Sequence, residues 1–167
     1  MDDSLRRAAL AVSAAEGGGV YERLAGDLAG ILGVAVGFIA VFDDPVRSRM
    51  RMLAFHLDGR LRQPFSYELE GSPCAQVVGN EFRCVASNAQ KEFPNDDLFV
   101  KLGVESYAAY PVNDAEGVPL GVIGAMDREP LNETALCEAI LKVFALRAAA
   151  ELEHGARLQS DFALRAS

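Results

Sequence analysis

Nine consecutive positions, residues 34–42 (VAVGFIAVF), carry only apolar side chains or glycine. A run this short and this uniform reads as a central β-strand covered on both faces, because a strand with one wet face alternates polar with apolar. Whatever flanks it must supply the cover. Directly upstream, residues 20–32 read as a helix with Val20, Leu24, Leu28 and Ile31 on one face and Gly33 placed to end it. Further upstream, residues 4–16 read as another helix, with Ser4 as its cap, Leu5, Ala8, Ala9, Val12 and Ala15 as its stripe, and Gly17-Gly18-Gly19 as its stop.

Downstream, Asp43-Asp44-Pro45 breaks the central strand, residues 49–57 resume as a strand, and Asp58-Gly59 is a two-residue hairpin signal before a strand over 61–67. Gly71-Ser72-Pro73 reads as the start of a short helix ending near Gly79. A short strand over 81–85 follows, and then a second short helix opened by Phe93-Pro94-Asn95-Asp96-Asp97 and closed at Gly103. Strands over 105–112 and 120–127 flank the turn-rich Asn113-Asp114-Ala115-Glu116-Gly117. A long helix starts near Asn132, carries Ile140, Leu141, Val143, Phe144, Ala148 and Leu152, and turns polar beyond about Glu153. Hairpin-linked strands with helices at both ends predict an α+β antiparallel sheet of about six strands, not a doubly wound one.

Composition limits the chemistry. The chain has 167 residues, half of them hydrophobic, enough for one domain whose core needs neither disulfides nor a structural metal. Its net charge is −8, and no Lys/Arg cluster interrupts that balance, which argues against nucleic acid and against an anionic membrane surface. No apolar run approaches a membrane span, and Met1-Asp2-Asp3-Ser4 lacks the order of a signal peptide, so a cytoplasmic location is expected. Cys74, Cys84 and Cys137 form no CxxC pair, and His56 and His154 lie in different expected elements. No metal site, cofactor or hydrolytic triad is expected from that inventory.

The roughly 35-residue excursion over 69–103 exceeds the usual connection of ~4–6 residues and is rich in aromatic and polar side chains, which suits a lid over a small-molecule pocket. Candidate pocket residues follow from strand parity. Phe65 and Tyr67 share a face, as do Phe82 and Cys84, whereas Tyr107 and Tyr110, three positions apart, point to opposite faces. Phe93 and Asp97 lie in the lid. Asp96 and Asp97 also suit helix capping. Cys74, just inside an expected helix start, is open to two readings, a thiolate favoured by the helix end and a small buried filler. Cys137 reads as core, and His56 as a satisfied or solvated side chain.

Six segments in order resemble a GAF domain of the bacterial sensor type: Phe65-Ser66-Tyr67-Glu68-Leu69-Glu70-Gly71-Ser72-Pro73-Cys74, Phe93-Pro94-Asn95-Asp96, Gly103-Val104-Glu105-Ser106-Tyr107, Tyr110-Pro111-Val112-Asn113-Asp114, Gly117-Val118-Pro119-Leu120-Gly121-Val122 and Phe144-Ala145-Leu146-Arg147-Ala148-Ala149-Ala150-Glu151-Leu152-Glu153. The resemblance spans residues 5–154. It implies a central antiparallel sheet with the terminal helices on one face and a pocket roofed by short helices and loops on the other. It also implies a ligand-sensing or dimerising module of a signalling protein such as a histidine kinase.

Departures from the family's specialised members narrow the expectation. Bilin-binding members attach their chromophore through a cysteine followed by histidine, but Val85 follows Cys84 and Ala75 follows Cys74. Asn88, Lys91, Phe93 and Asp97 are similar to a cyclic-nucleotide signature but wrongly spaced. One family enzyme reduces free methionine sulfoxide with lid cysteines; Cys74 and Cys84 lie in that region, yet Gly71-Ser72-Pro73-Cys74 stands where that enzyme has Gly-x-Cys-Gly. The expectation is therefore a non-catalytic sensory domain with an unidentified small ligand, residues 17–154, preceded by an N-terminal helix over 1–16 and followed by an extension or linker over 155–167. Homodimerisation through the terminal helices is expected. Ala163-Leu164-Arg165-Ala166-Ser167 resembles the lead-in to a PAS domain, implying a downstream PAS or kinase domain. The alternatives are a ligand-free structural dimerisation module and the sulfoxide reductase.

Overall fold

The computed structural model describes residues 2–15, 19–44 and 46–166. Its sheet has seven antiparallel strands: β1 (Val36–Phe42), β2 (Arg49–Leu57), β3 (Arg60–Leu61), β4 (Ser66–Glu68), β5 (Arg83–Val85), β6 (Ser106–Asn113) and β7 (Pro119–Asp127). The order across it is β3-β2-β1-β7-β6-β5, with β4 also pairing β2. The apolar run is thus an interior strand. Val36, Phe38 and Ala40 enter one core, while Ile39 enters a second core on the opposite face.

The helices α1 (Asp3–Ala14), α2 (Val20–Leu32) and α5 (Thr134–Ala166) cover the Ile39 face, packing Ala8, Leu24, Leu28, Ile140, Leu141 and Phe144 into it. Gly37 shows how close α2 comes, because a Cβ there would lie 2.2 Å from the Ala25 carbonyl oxygen. The first helix is capped by the Asp2 carboxylate, which accepts from Ser4 N at 2.7 Å, so the cap lies two residues before the expected Ser4. The expected helix end at Glu16, the Gly17-Gly18 stop and Pro45 lie outside the described residues. Arg147 of α5 donates to the Val12 carbonyl at 2.5 Å and to the Ala15 carbonyl, and pairs with Glu151, which places a cation at the negative end of α1.

Two expectations for the strands change. Residues 61–67 are split, β3 pairing with the end of β2 and β4 with its beginning, because the intervening segment leaves the sheet around Pro64. The Asp58-Gly59 turn is as expected, with φ of 50° and 81°. A bulge in β2 pairs Ile39 with Ala54 and Ala40 with Met52, leaving Leu53 extra. The inward set therefore shifts from Met50 and Met52 to Phe55 and Leu57 without leaving its face.

Candidate functional site

Apart from the edge strand β5 and the adjoining Phe82, the excursion over 69–103 lies on the Phe38 face. It contains a 3-10 turn (Pro73–Gln76), β5, α3 (Ala89–Glu92) and α4 (Asp97–Leu102). Between it and the sheet is a cavity of about 490 Å³, within the size range of small-molecule sites. Phe38, Met52, Tyr67, Tyr107 and Met126 come from five different strands to form its floor, and residues 70–74 and 95–99 form its walls. Gly124 makes the floor possible, since a Cβ there would lie 2.6 Å from the Phe38 ring.

At the centre of the floor the Tyr67 hydroxyl donates to Cys74 Sγ at 3.2 Å, and Cys74 Sγ lies 3.3 Å from the Tyr107 hydroxyl. Three hydrogen-bearing groups thus share two contacts. Whichever way the second contact runs, either the thiol or the Tyr107 hydroxyl keeps a proton to offer. Burial raises the Cys74 pKa, against the lowering effect of both tyrosines. Burial also raises both tyrosine pKa values, with the Cys74 charge adding to the effect. The trio is a neutral donor cluster.

The mouth is acidic. Glu68, Glu70, Asp96 and Asp97 line it. Glu68 is paired with Arg49, and Asp96 caps α4 by accepting from Phe99 N at 3.1 Å. Asp96 is half-buried and its pKa is raised, chiefly by desolvation.

No model of a known protein family matches the sequence, and no curated protein matches it either. Solved structures do. The GAF domain of an Acinetobacter phosphoenolpyruvate-protein phosphotransferase superposes with a TM-score of 0.72 at 16% identity, covering 95% of this chain and 96% of that one. The A. aeolicus nlh2 GAF domain, in an inactive state, gives 0.64 at 14% identity over 90% and 95%. The chain has the fold of a GAF domain. The chromophore-binding domain of an unusual R. palustris bacteriophytochrome also gives 0.64 at 14% identity, over 89% of this chain but 62% of that one.

Within this GAF fold the sequence-derived candidates separate. Phe65, Tyr67, Cys74, Asp97 and Tyr107 line the cavity. Phe93 stands behind its wall, edge-on to Phe99 with ring centroids 6.0 Å apart. Cys84 and Tyr110 are corrections. Both pack into the helix-side core, where Phe82 and Tyr110 approach at 6.3 Å, because position 84 faces away from the Val85 side of β5 and position 110 has the opposite parity to Tyr107. The sheet therefore separates Cys74 from Cys84, and the thiol pair that sulfoxide reduction would need is not assembled.

The thiolate reading of Cys74 is also corrected. The turn at Pro73 is four residues of 3-10 helix, Ser72 donates to the Leu69 carbonyl instead of capping it, and the thiol is buried. His56 is neither satisfied nor fully solvated. Its ring packs against Gly26 on the helix side and its Nδ1 is buried without a partner among the described residues. Among those residues, no group of three or more His, Cys, Asp or Glu is placed to hold a metal, and no helix is long and apolar enough to cross a membrane.

Sequence reasoning passed over Phe38, Met52, Phe99, Met126 and Glu70. Parity with Val36 would have exposed Phe38, but the two methionines carry no signal that distinguishes a cavity floor from a packed core.

Proposed function

We propose that this GAF-fold domain is a non-catalytic sensory module of a bacterial signalling protein, such as a cytoplasmic sensor histidine kinase, that binds a small ligand in the cavity beneath residues 69–103. The observation that carries this reading is the sharing of strands between cavity and helices. On β6, Tyr107 enters the cavity floor while Ala108, Tyr110 and Val112 contact the helix-side core that holds α5. A ligand that favours one lid arrangement changes the packing beneath it, and the same strand passes the difference to α5.

The last helix is suited to output. It runs for 33 residues, about 50 Å at 1.5 Å per residue, and its final turns after the last core contacts are exposed, including Leu158 and Phe162. Those side chains, with exposed Leu10 and Leu146, favour parallel homodimerisation through the terminal helices and continuation into a downstream PAS or kinase domain. Residues 1–16, 17–154 and 155–167 then serve as dimer helix, sensor and linker.

Hydrogen exchange tests the reading. Without ligand, amides over 69–103 should exchange far faster than those of β1, and a bound small molecule should protect the lid first and α5 second. A lid as protected as β1 in the free protein would favour the structural module instead.

A further inference from the structure

The lid cavity has a one-signed mouth. Among the described residues that line it are four carboxylates and no Lys, Arg or His. Arg49 neutralises Glu68, but no ion pair among those residues involves Glu70, Asp96 or Asp97. The N-terminal end of α4 answers part of that charge, with Asp96 accepting from Phe99 N as its cap and Asp97 in its first turn, but Glu70 lies outside that helix. Among the described residues, no group of three or more of these side chains is placed to hold a metal. The floor below is apolar and aromatic, with Phe38, Met52 and Met126 around the Tyr107 hydroxyl.

We propose that the ligand of this cavity is a small organic amine: its apolar or aromatic body lies on the Phe38–Met52–Met126 floor, and its ammonium stands at the mouth between Glu70, Asp96 and Asp97. The proposal rests on the sensing reading and gives that site its ligand class. An ammonium supplies the countercharge the mouth lacks, and it does so where half-buried Asp96 has already lost part of its hydration. An acceptor atom at the far end of the body takes the unspent proton of the Cys74–Tyr107 pair. Phosphates, nucleotides and carboxylic acids meet like charge at the mouth and are disfavoured.

Three compounds with the same phenol ring and two-carbon arm separate charge from shape: tyramine, the neutral alcohol tyrosol, and the anion para-hydroxyphenylpropionate. Calorimetry should rank tyramine about tenfold tighter than tyrosol, with the anion weakest. Glu70→Gln and Asp97→Asn, both at exposed positions, should each weaken tyramine by about two- to fivefold and leave tyrosol unchanged. The proposal is overturned if the anion binds as well as the amine, if the variants weaken all three alike, or if none of the three binds. Exchange over 69–103 distinguishes that failure from failure of the sensing reading. Where the ranking of the three compounds fails, a free lid that exchanges fast leaves the sensing reading standing and sinks the amine alone, whereas a free lid as protected as β1 sinks both.

Discussion

The two faces of one sheet are built from alternating residues of the same strands and finish differently. On the helix face, Ile39, Ile123, Leu24, Leu28, Ile140, Leu141 and Phe144 are fully buried among helices of 12, 13 and 33 residues. On the lid face, aromatic rings, methionines and hydroxyls line open volume beneath helices of four and six residues. Long elements bury a continuous stripe and hold one another in place. Short ones contribute one or two side chains each and depend on the sheet for support. The first face fixes the fold, and the second keeps open volume.

The sharpest way to break that contrast is to remove one phenylalanine from each side. Phe144→Ala, at a fully buried helix-side position, should lower unfolding stability by about 3–5 kcal/mol in urea titration. Phe99 is 2% exposed, yet Phe99→Ala should cost only about 1–2 kcal/mol, because its loss is capped by the free energy that closes the lid. Equal losses would mean that the lid folds as one unit with the rest.

The cysteines report the same difference as a rate. Cys74 lies under the lid and Cys137 in the helix-side core, where burial pushes its thiol up to about 12. Neither presents a thiolate while the protein is closed. Iodoacetamide at mildly alkaline pH should modify partly buried Cys84 first and buried Cys74 next. Cys137 should lag Cys74 by about a hundredfold, the equivalent of about 3 kcal/mol between local and global opening. A ligand in the cavity should slow Cys74 alone. Equal rates at Cys74 and Cys137 would remove the distinction between the faces.

How legible each face was in the sequence follows from the same physics. The central strand, α2 with its Gly33 stop, the Asp58-Gly59 hairpin and the Asp96 cap all rest on local rules, and the structure reproduces them. Parity separated Tyr107 from Tyr110 but did not say which faced the lid, because both faces of β6 are apolar. Cys84 was misplaced for the same reason. Sequence spacing put it ten residues from Cys74, whereas pairing with Ala108 turns it toward the helices. Cavity volume depends on side chains from five strands at once, and no window along the chain contains that information.

Arg147 sharpens the helix side. Its guanidinium answers two carbonyls at the end of α1, so Arg147→Ala removes both hydrogen bonds and the cation from the helix end. A loss of about 1–2 kcal/mol is expected, with faster exchange confined to α1 and no change over 69–103. Loosening of the lid in this variant would instead show that the two faces are coupled even without ligand.

The smallest effect belongs to Asp96 and has a defined sign. Desolvation raises its folded pKa above the unfolded value of 3.8, so between those two values the native state binds more proton than the unfolded chain. Its contribution to stability therefore grows as pH falls through the folded pKa, and at neutral pH the ionised carboxylate is a cost. Asp96→Asn keeps an oxygen to accept from Phe99 N and removes the charge. Stability at neutral pH should rise by less than about 1 kcal/mol, discounted because the group keeps partial access to water, and the wild-type advantage on acidification should disappear. A large neutral-pH loss would show that the carboxylate's charge, not its cap, holds α4 in place. The same substitution should weaken tyramine, so one exchange separates what Asp96 does for the lid from what it offers a cation.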